Sequence, residues 1–377
     1  MESKLEEAKK VITFDNLIAE VIEKGLCNRC GGCVSFCSAN RLGAIEMGDN
    51  NLPRYVDRDK CLECGICYLI CPQTRELEDE LREKFGWHPP IGPYQDIFSA
   101  RATNADILKV STDGGVVTAL LLYMLENNLI NGAVVSKRTG LFSRKPIVAT
   151  TRDELIEAAG SQFSESSHLE KLGNEYTTYV PVAPVIREYI PKFSARLAVV
   201  GTPCQIRAIR KMQVLKILPS DVIKFTIGLF CMESFMLNDL IKQKFARKHS
   251  IHMKDIVKLN VKEDFILTMR TGITLHIPFD EVDEIARPAC LTCQDFANDY
   301  ADISVGGLGS PDGYTTTLVR TSLGRRVYVE AMQLGYIEER TNNMQESIAE
   351  KARMISLITL FAKRKKQRGE KRLSKIK

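Results

Sequence analysis

The sequence predicts an α+β protein, with an α/β-like core behind a small cysteine-dense domain. Three observations predict this: strand-like and helix-like runs interleave over most of the chain, eight of the twelve cysteines crowd into residues 27–71, and a proline- and glycine-rich stretch separates the two regions. A length of 377 residues, 44% hydrophobic and 26% charged, suits a globular protein of more than one domain.

Residues 1–25 form a polar, helix-prone lead-in that is charged from Glu2 onward and lacks the apolar segment of a secretory signal. No run of eighteen apolar residues follows anywhere, so no transmembrane helix is expected and the chain is expected to stay in the cytoplasm. The first domain is placed at 1–85. Its charged end, 75–84, must stop at Gly86, Pro89, Pro90, Gly92 and Pro93, where backbone amide donors are missing or left-handed turns are permitted.

The core is placed at 95–340. A helix is expected over 115–129, a strand over 133–136, and a helix opened by Thr151 with Asp153 and Glu154 in its first turn. Strand-like runs recur at 196–200, 222–229, 256–261 and 302–305, and 265–270 with 273–278 reads as a hairpin turning at Thr271 and Gly272. Residues 341–377 are expected to form an amphipathic helix and a basic tail.

The net charge of +5 is concentrated in that tail: residues 363–377 hold nine Lys or Arg against one Glu, leaving the rest of the chain near −3. A folded body of that charge gives no reason to expect a nucleic-acid groove. The tail itself suits either docking onto an acidic partner subunit or an anionic membrane face, or the role of a disordered solubilising extension. The five histidines, His88, His168, His249, His252 and His276, show no metalloprotease or facial-triad spacing.

Twelve cysteines in a chain expected to be cytosolic point to metal ligation rather than disulfides. Cys27, Cys30, Cys33 and Cys37 repeat the C-x2-C-x2-C-x3-C spacing of Cys61, Cys64, Cys67 and Cys71. Three closely spaced thiolates cap one 4Fe-4S cubane, while the fourth points to the other. The expected sets therefore cross: Cys27, Cys30, Cys33 and Cys71 on one cluster, Cys61, Cys64, Cys67 and Cys37 on the second. Gly31, Gly32 and Gly65 let backbone amides approach the inorganic core. The segment resembles a bacterial-type two-cluster ferredoxin, with one departure at Ser38, where that pattern has proline. A zinc ribbon is the competing reading.

Four cysteines remain: Cys204, Cys231, Cys290 and Cys293. They make either one more cluster, gathered at the C-terminal edge of a sheet, or two buried free thiols plus a chance C-x-x-C. Around them stand Gly201, Thr202, Pro203 and Gln205, the run 227–231, the run 290–296 and the run 301–306, and further upstream Ser111, Thr112, Asp113, Gly114 and Gly115 before an apolar helix.

These motifs, over 111–321, resemble the family of coenzyme F420 hydrogenase and dehydrogenase beta subunits, flavoproteins of methanogens and related archaea. The resemblance implies an F420 hydrogenase beta-subunit-like flavoprotein core fused to the two-cluster ferredoxin domain. It implies a third 4Fe-4S cluster on Cys204, Cys231, Cys290 and Cys293 beside FAD. Ser111, Thr112, Asp113, Gly114, Gly115, Thr202, Gln205, Gly306 and Gly307 are the expected FAD contacts, the 111–115 loop holding phosphate at a helix N-terminus. Lys137, Arg138, Arg207 and Arg210 are the expected cations for the acidic tail of coenzyme F420. No residue is assigned to catalysis itself, because flavin converts between hydride and single electrons.

The expected activity is thus oxidation of reduced coenzyme F420, reversible in principle. Electrons would leave through three clusters to a partner complex, which leaves room for peripheral association at the inner face of the membrane. The ferredoxin segment is similar to that of the electron-input subunit of archaeal F420 dehydrogenases, and of some F420-dependent sulfite reductases. The competing classes are an electron-transfer adaptor without a substrate site, and a related FAD and iron-sulfur reductase acting on another substrate.

Overall fold

The computed structural model describes residues 12–140, 143–160, 195–236, 239–340 and 343–376. Most of the expected lead-in helix (1–11), His168 and Lys377 lie outside the described residues.

The small domain opens on α1 (Phe14–Leu17), capped by Thr13, whose own amide donates to Asn16 Oδ1 at 2.9 Å. Two short helices, α2 (Gly32–Ala39) and α3 (Ile66–Leu69), carry the cysteine motifs, with a ribbon of β1 (Ile45–Met47) antiparallel to β2 (Pro53–Tyr55) between them in sequence. Both motifs use one backbone device. The residue before the second cysteine and the glycine after it are left-handed in each: Arg29 (φ 56°) and Gly31 (77°), then Glu63 (52°) and Gly65 (70°). At Gly65 a side chain would also meet the Ile12 carbonyl oxygen at 2.5 Å. Phe14, Leu17, Val21, Val34 and Ile45 pack with Cys37 and Cys67 as the domain's own core.

Helix α4 (Glu78–Phe85) has acidic residues in its first turn and Arg82 and Lys84 in its last, complementing the helix dipole, and left-handed Gly86 ends it. The following linker is fastened to the core: the Trp87 indole N–H donates to Asp299 Oδ2 at 2.8 Å.

The core helices are α5 (Ala105–Val110), α6 (Val116–Glu126), α7 (Arg152–Glu157), α8 (Pro203–Leu215), α9 (Asp239–Lys248), α10 (Phe279–Val282), α11 (Pro288–Thr292), α12 (Ser322–Gln333) and α13 (Met344–Leu373). Its strands are β3 (Asp96–Ala102), β4 (Gly132–Gly140), β5 (Ser143–Ala149), β6 (Leu197–Gly201), β7 (Ile223–Leu229), β8 (Ile256–Val261), β9 (Phe265–Met269), β10 (Thr274–Ile277), β11 (Ile303–Gly306), β12 (Thr315–Val319) and β13 (Ile337–Glu339).

Eight of them form one sheet in the order β13-β3-β12-β11-β7-β6-β4-β5, and β10-β9-β8 form a separate antiparallel sheet. The centre of the large sheet, β11, β7, β6 and β4, is parallel, and antiparallel strands flank it on both sides. Parallel strands need both faces covered, and β6 shows how. Ala198 and Val200 pack with α6 and α12 on one face, while Leu197 and Val199 pack with α8 on the other. Helix α13 covers the far end of the sheet through Met354, Ile358 and Phe361 against Ile97 and Leu318.

Several expectations change. The helix expected over 115–129 is the shorter α6, and the strand expected over 133–136 runs on to Gly140 and turns back as β5. The basic stretch from Lys363 continues the thirty-residue helix α13 as far as Leu373, and Lys365 within it is 1% exposed.

Candidate functional site

A cleft lies at the C-terminal ends of the parallel strands, where α/β sheets gather ligands. Val200 to Thr202 at the end of β6, Leu229 to Cys231 at the end of β7, and Val305 to Leu308 at the end of β11 form one wall; Ser111 to Asp113 with Gly115 and the start of α6 form another. Asn260 of β8 and Lys262 in the turn after it close the rim.

Each core cysteine is placed by backbone structure. Pro203 opens α8, and the Thr202 amide donates to Gln205 Oε1 at 2.9 Å, so the cap sets Cys204 in the first turn. Phe230 extends the ladder past β7 by donating to the Val305 carbonyl at 2.7 Å, and the Cys231 amide then donates to the Phe296 carbonyl at 2.9 Å. Pro288 starts α11, which carries Cys290 and delivers Cys293 at its end; the Ser234 amide donates to Cys290 Sγ at 3.4 Å.

All twelve cysteines are free thiols. Their mutual electrostatics sort them into three neighbourhoods. Burial raises the Cys33 thiol, with Cys30, Cys27, Cys67 and Cys71 adding to it, and burial pushes Cys71 up to about 11 beside Cys27. Burial pushes Cys67 up to about 12, reinforced by Cys64, Cys61 and Cys37. In the core, burial pushes Cys204 up to about 12 with Cys290 and Cys293 adding to it; Cys231 is raised by burial and by Cys290, Cys204 and Cys293.

The neighbourhoods form a row. Cys33 feels Cys67 across the first two, and Cys30, raised by burial, feels Cys204 more strongly than any other cysteine. Cys30 and Cys204 both line the cleft, so the row ends there. At the other end Cys64 is exposed.

Two buried cations join the domains across this row. Lys211 of α8 donates to the Cys71 carbonyl at 2.7 Å and the Thr74 carbonyl at 3.0 Å, and Arg287 donates to the Asn28 carbonyl.

The residues fit the groups expected of them. For clusters, amides donate to Cys27 Sγ (3.4 Å), Cys37 Sγ (3.3 Å) and Cys290 Sγ, as metal-bound thiolates require. For a flavin nucleotide, α6 starts without a side-chain cap, leaving its amides to a phosphate. Ser136 Oγ, Glu233 Oε1 and Asn260 Oδ1 are buried without a hydrogen-bond partner, and all three residues line the cleft.

Of the expected FAD contacts, Ser111, Thr112, Asp113, Gly115, Thr202, Gln205, Gly306 and Gly307 line the cleft. Gly114 does not. It is pinned behind the loop, its amide donating to Thr315 Oγ1 at 3.0 Å, and a side chain there would meet the Ala100 carbonyl at 2.5 Å. Asp113 is half-buried against Gly307 and accepts from Asn260 Nδ2 at 3.2 Å.

None of the four expected cations reaches the cleft. Lys137 pairs with Glu157, and Arg138 is exposed on β4. Arg207 lies over Tyr300 and pairs with Glu78 at 3.4 Å; Arg210 is buried against the Tyr300 carbonyl, Thr226 and Asp302. Among the described residues, the cations that do line it are Arg144, Lys262 and Arg287. They come from β5, the turn after β8 and the residue before α11, and no local pattern marks them, since sheet order alone brings these segments together.

Three family models match the chain. "Coenzyme F420 hydrogenase/dehydrogenase, beta subunit N-term" covers 97–186, the corresponding C-terminus covers 194–345, and a 4Fe-4S dicluster domain covers 19–82. The coenzyme F420 hydrogenase subunit beta of Methanosarcina barkeri is 32% identical over 75% of this chain and 92% of its own length. That of Methanothermobacter thermautotrophicus is 30% identical over 75% of this chain and 95% of its own length. A chain of the F420-reducing NiFe hydrogenase complex from Methanosarcina barkeri superimposes with a TM-score of 0.62 at 30% identity, covering 77% of this chain and 94% of that one.

Proposed function

We propose that this chain, which belongs to the family of coenzyme F420 hydrogenase/dehydrogenase beta subunits, oxidises reduced coenzyme F420 at the cleft and delivers the electrons singly to a partner subunit. The single observation that carries this reading is the row of three thiol neighbourhoods that ends at a cleft on the edge of a parallel sheet.

The reading assigns FAD to the cleft and a 4Fe-4S cluster to each cysteine set. Bound there, the flavin supplies exchange between a two-electron hydride and single electrons. The chain does the rest. The amides that open α6 hold phosphate, and the partnerless atoms of Ser136, Asn260 and Glu233 meet polar edges of the ring system or its substrate. Phe230 and Phe296 pack at a centroid distance of 5.6 Å and keep water from the wall next to Cys231. Lys262 and Arg144 take over from the four cations expected from the sequence as the groups that meet an anionic tail.

The test is a carefully anaerobic preparation of the full chain. It should contain iron and sulfide for three cubanes and one FAD, and should reduce a viologen dye with reduced coenzyme F420 but not with pyridine nucleotides. An adaptor subunit would carry the iron yet show no flavin band and no turnover. Iron for only two cubanes would remove the core cluster from the reading.

A further inference from the structure

We propose that Lys365, on helix α13, is a positioning residue that fixes a positive charge against the core cysteine set and so raises the reduction potential of the cluster there. The inference rests on the reading that Cys204, Cys231, Cys290 and Cys293 hold that cluster.

A lysine is almost never fully buried without a counter-charge, because water solvates an ammonium far better than a protein interior does. Lys365 is 1% exposed, and its ammonium donates to the Cys231 carbonyl oxygen. Among the described residues no carboxylate lies within ion-pair distance of it. What it meets instead is the main chain of a core cysteine, so the counter-charge of this buried cation is the thiolate set.

The helix is built to keep the ammonium there. Arg368 donates to Glu233 Oε2 at 2.7 Å and to the Met232 carbonyl at 3.3 Å, next to Cys231. Gly369 faces the other ligand-bearing segment. A side chain on it would stand 2.8 Å from the Thr292 carbonyl oxygen and 3.0 Å from that of Cys293, so the helix approaches as closely as backbone allows. Lys365 is therefore held between the two segments that carry three of the four thiols.

Reduction adds one negative charge to a cluster, and a nearby cation in a low-dielectric surround favours the reduced form. Arg287, which donates to the Asn28 carbonyl, supplies charge from the side facing the small domain. Lys365 supplies it from the opposite element.

The test is a redox titration of the anaerobic full-length protein, followed by the spectroscopic signal of each cluster, for the native chain, Lys365→Met and Lys365→Arg. At the native midpoint of the core cluster, Lys365→Met should lower its reduced-to-oxidised ratio at least about fivefold, the order expected for losing one nearby desolvated charge. Lys365→Arg should stay near the native ratio, and the two N-terminal clusters should not shift in either variant. An unchanged ratio in Lys365→Met with full iron content, or an equal fall in both variants, overturns the proposal. If a variant sheds the core cluster, loss from Lys365→Met alone supports it and loss from both overturns it. Failure of the underlying reading is separately visible, because the native chain would then contain only two clusters.

Discussion

Single residues decide how the two domains stay joined. Lys211 donates to two carbonyls that the small domain buries against α8, and Lys211→Met would leave the Thr74 carbonyl without a donor and the Cys71 carbonyl with Thr74 alone. The expected cost is about 2–4 kcal/mol in urea-unfolding measurements, with faster hydrogen exchange concentrated around residues 71–78. Asp299, which accepts from the Trp87 indole, is pushed up to about 7 by burial and by Asp295. Between about pH 4 and this value the folded chain binds more protons than the unfolded one, so this group's contribution to stability is present at low pH and is lost as the pH rises through about 7. Asp299→Asn, which keeps the acceptor for Trp87, should shrink the difference between urea midpoints at pH 5 and pH 7; an unchanged difference would place the proton elsewhere. At this scale the thiols were legible and the cations were not. Cysteine spacing encodes local geometry directly, whereas Arg144 and Lys262 acquire their place only from distant strands, and Arg210 looks like a surface cation until the sheet buries it beside Asp302.

Among the elements, the loop before α6 is the most constrained. Gly114→Ala would drive a methyl group into the Ala100 carbonyl at 2.5 Å and the Thr315 amide at 2.8 Å, and since both obstacles are backbone, β3 and β12 would have to part. A fall in stability of about 2–4 kcal/mol is expected, and bound flavin should fall with it, read from melting curves and absorbance. Helix starts such as Thr151, whose capping box with Glu154 is present, were readable because a cap is a local chemical event. Strand β12 was not readable. Its Thr315, Thr316 and Thr317 look like a polar turn, yet all three are buried, and Thr316 is paid for by hydrogen bonds to the Leu308 carbonyl at 2.7 Å and to Ser310. Helix α13 misled in the opposite sense: nine basic residues suggest solvent, while the face carrying Phe361, Lys365 and Gly369 is buried against the core.

For the whole molecule, the division into a cysteine-dense domain and an α/β-like core was visible in the Gly86–Pro93 linker, because proline and glycine interrupt any periodic pattern. Strand order was invisible, since β3 is tied to β12 and β13 through pairings that span more than two hundred residues. The contrast in reach has its own consequence. Eight thiols are leashed within residues 27–71, while the core four are drawn from 204 to 293 and sealed by a lysine at 365. Once the chain loosens, the first eight remain at high local concentration and can recapture iron, whereas the others drift apart. A chelator added at intermediate urea should therefore strip the core site first, and on dilution with iron and sulfide that site should be the last to refill; simultaneous loss would mean that the domains melt as one.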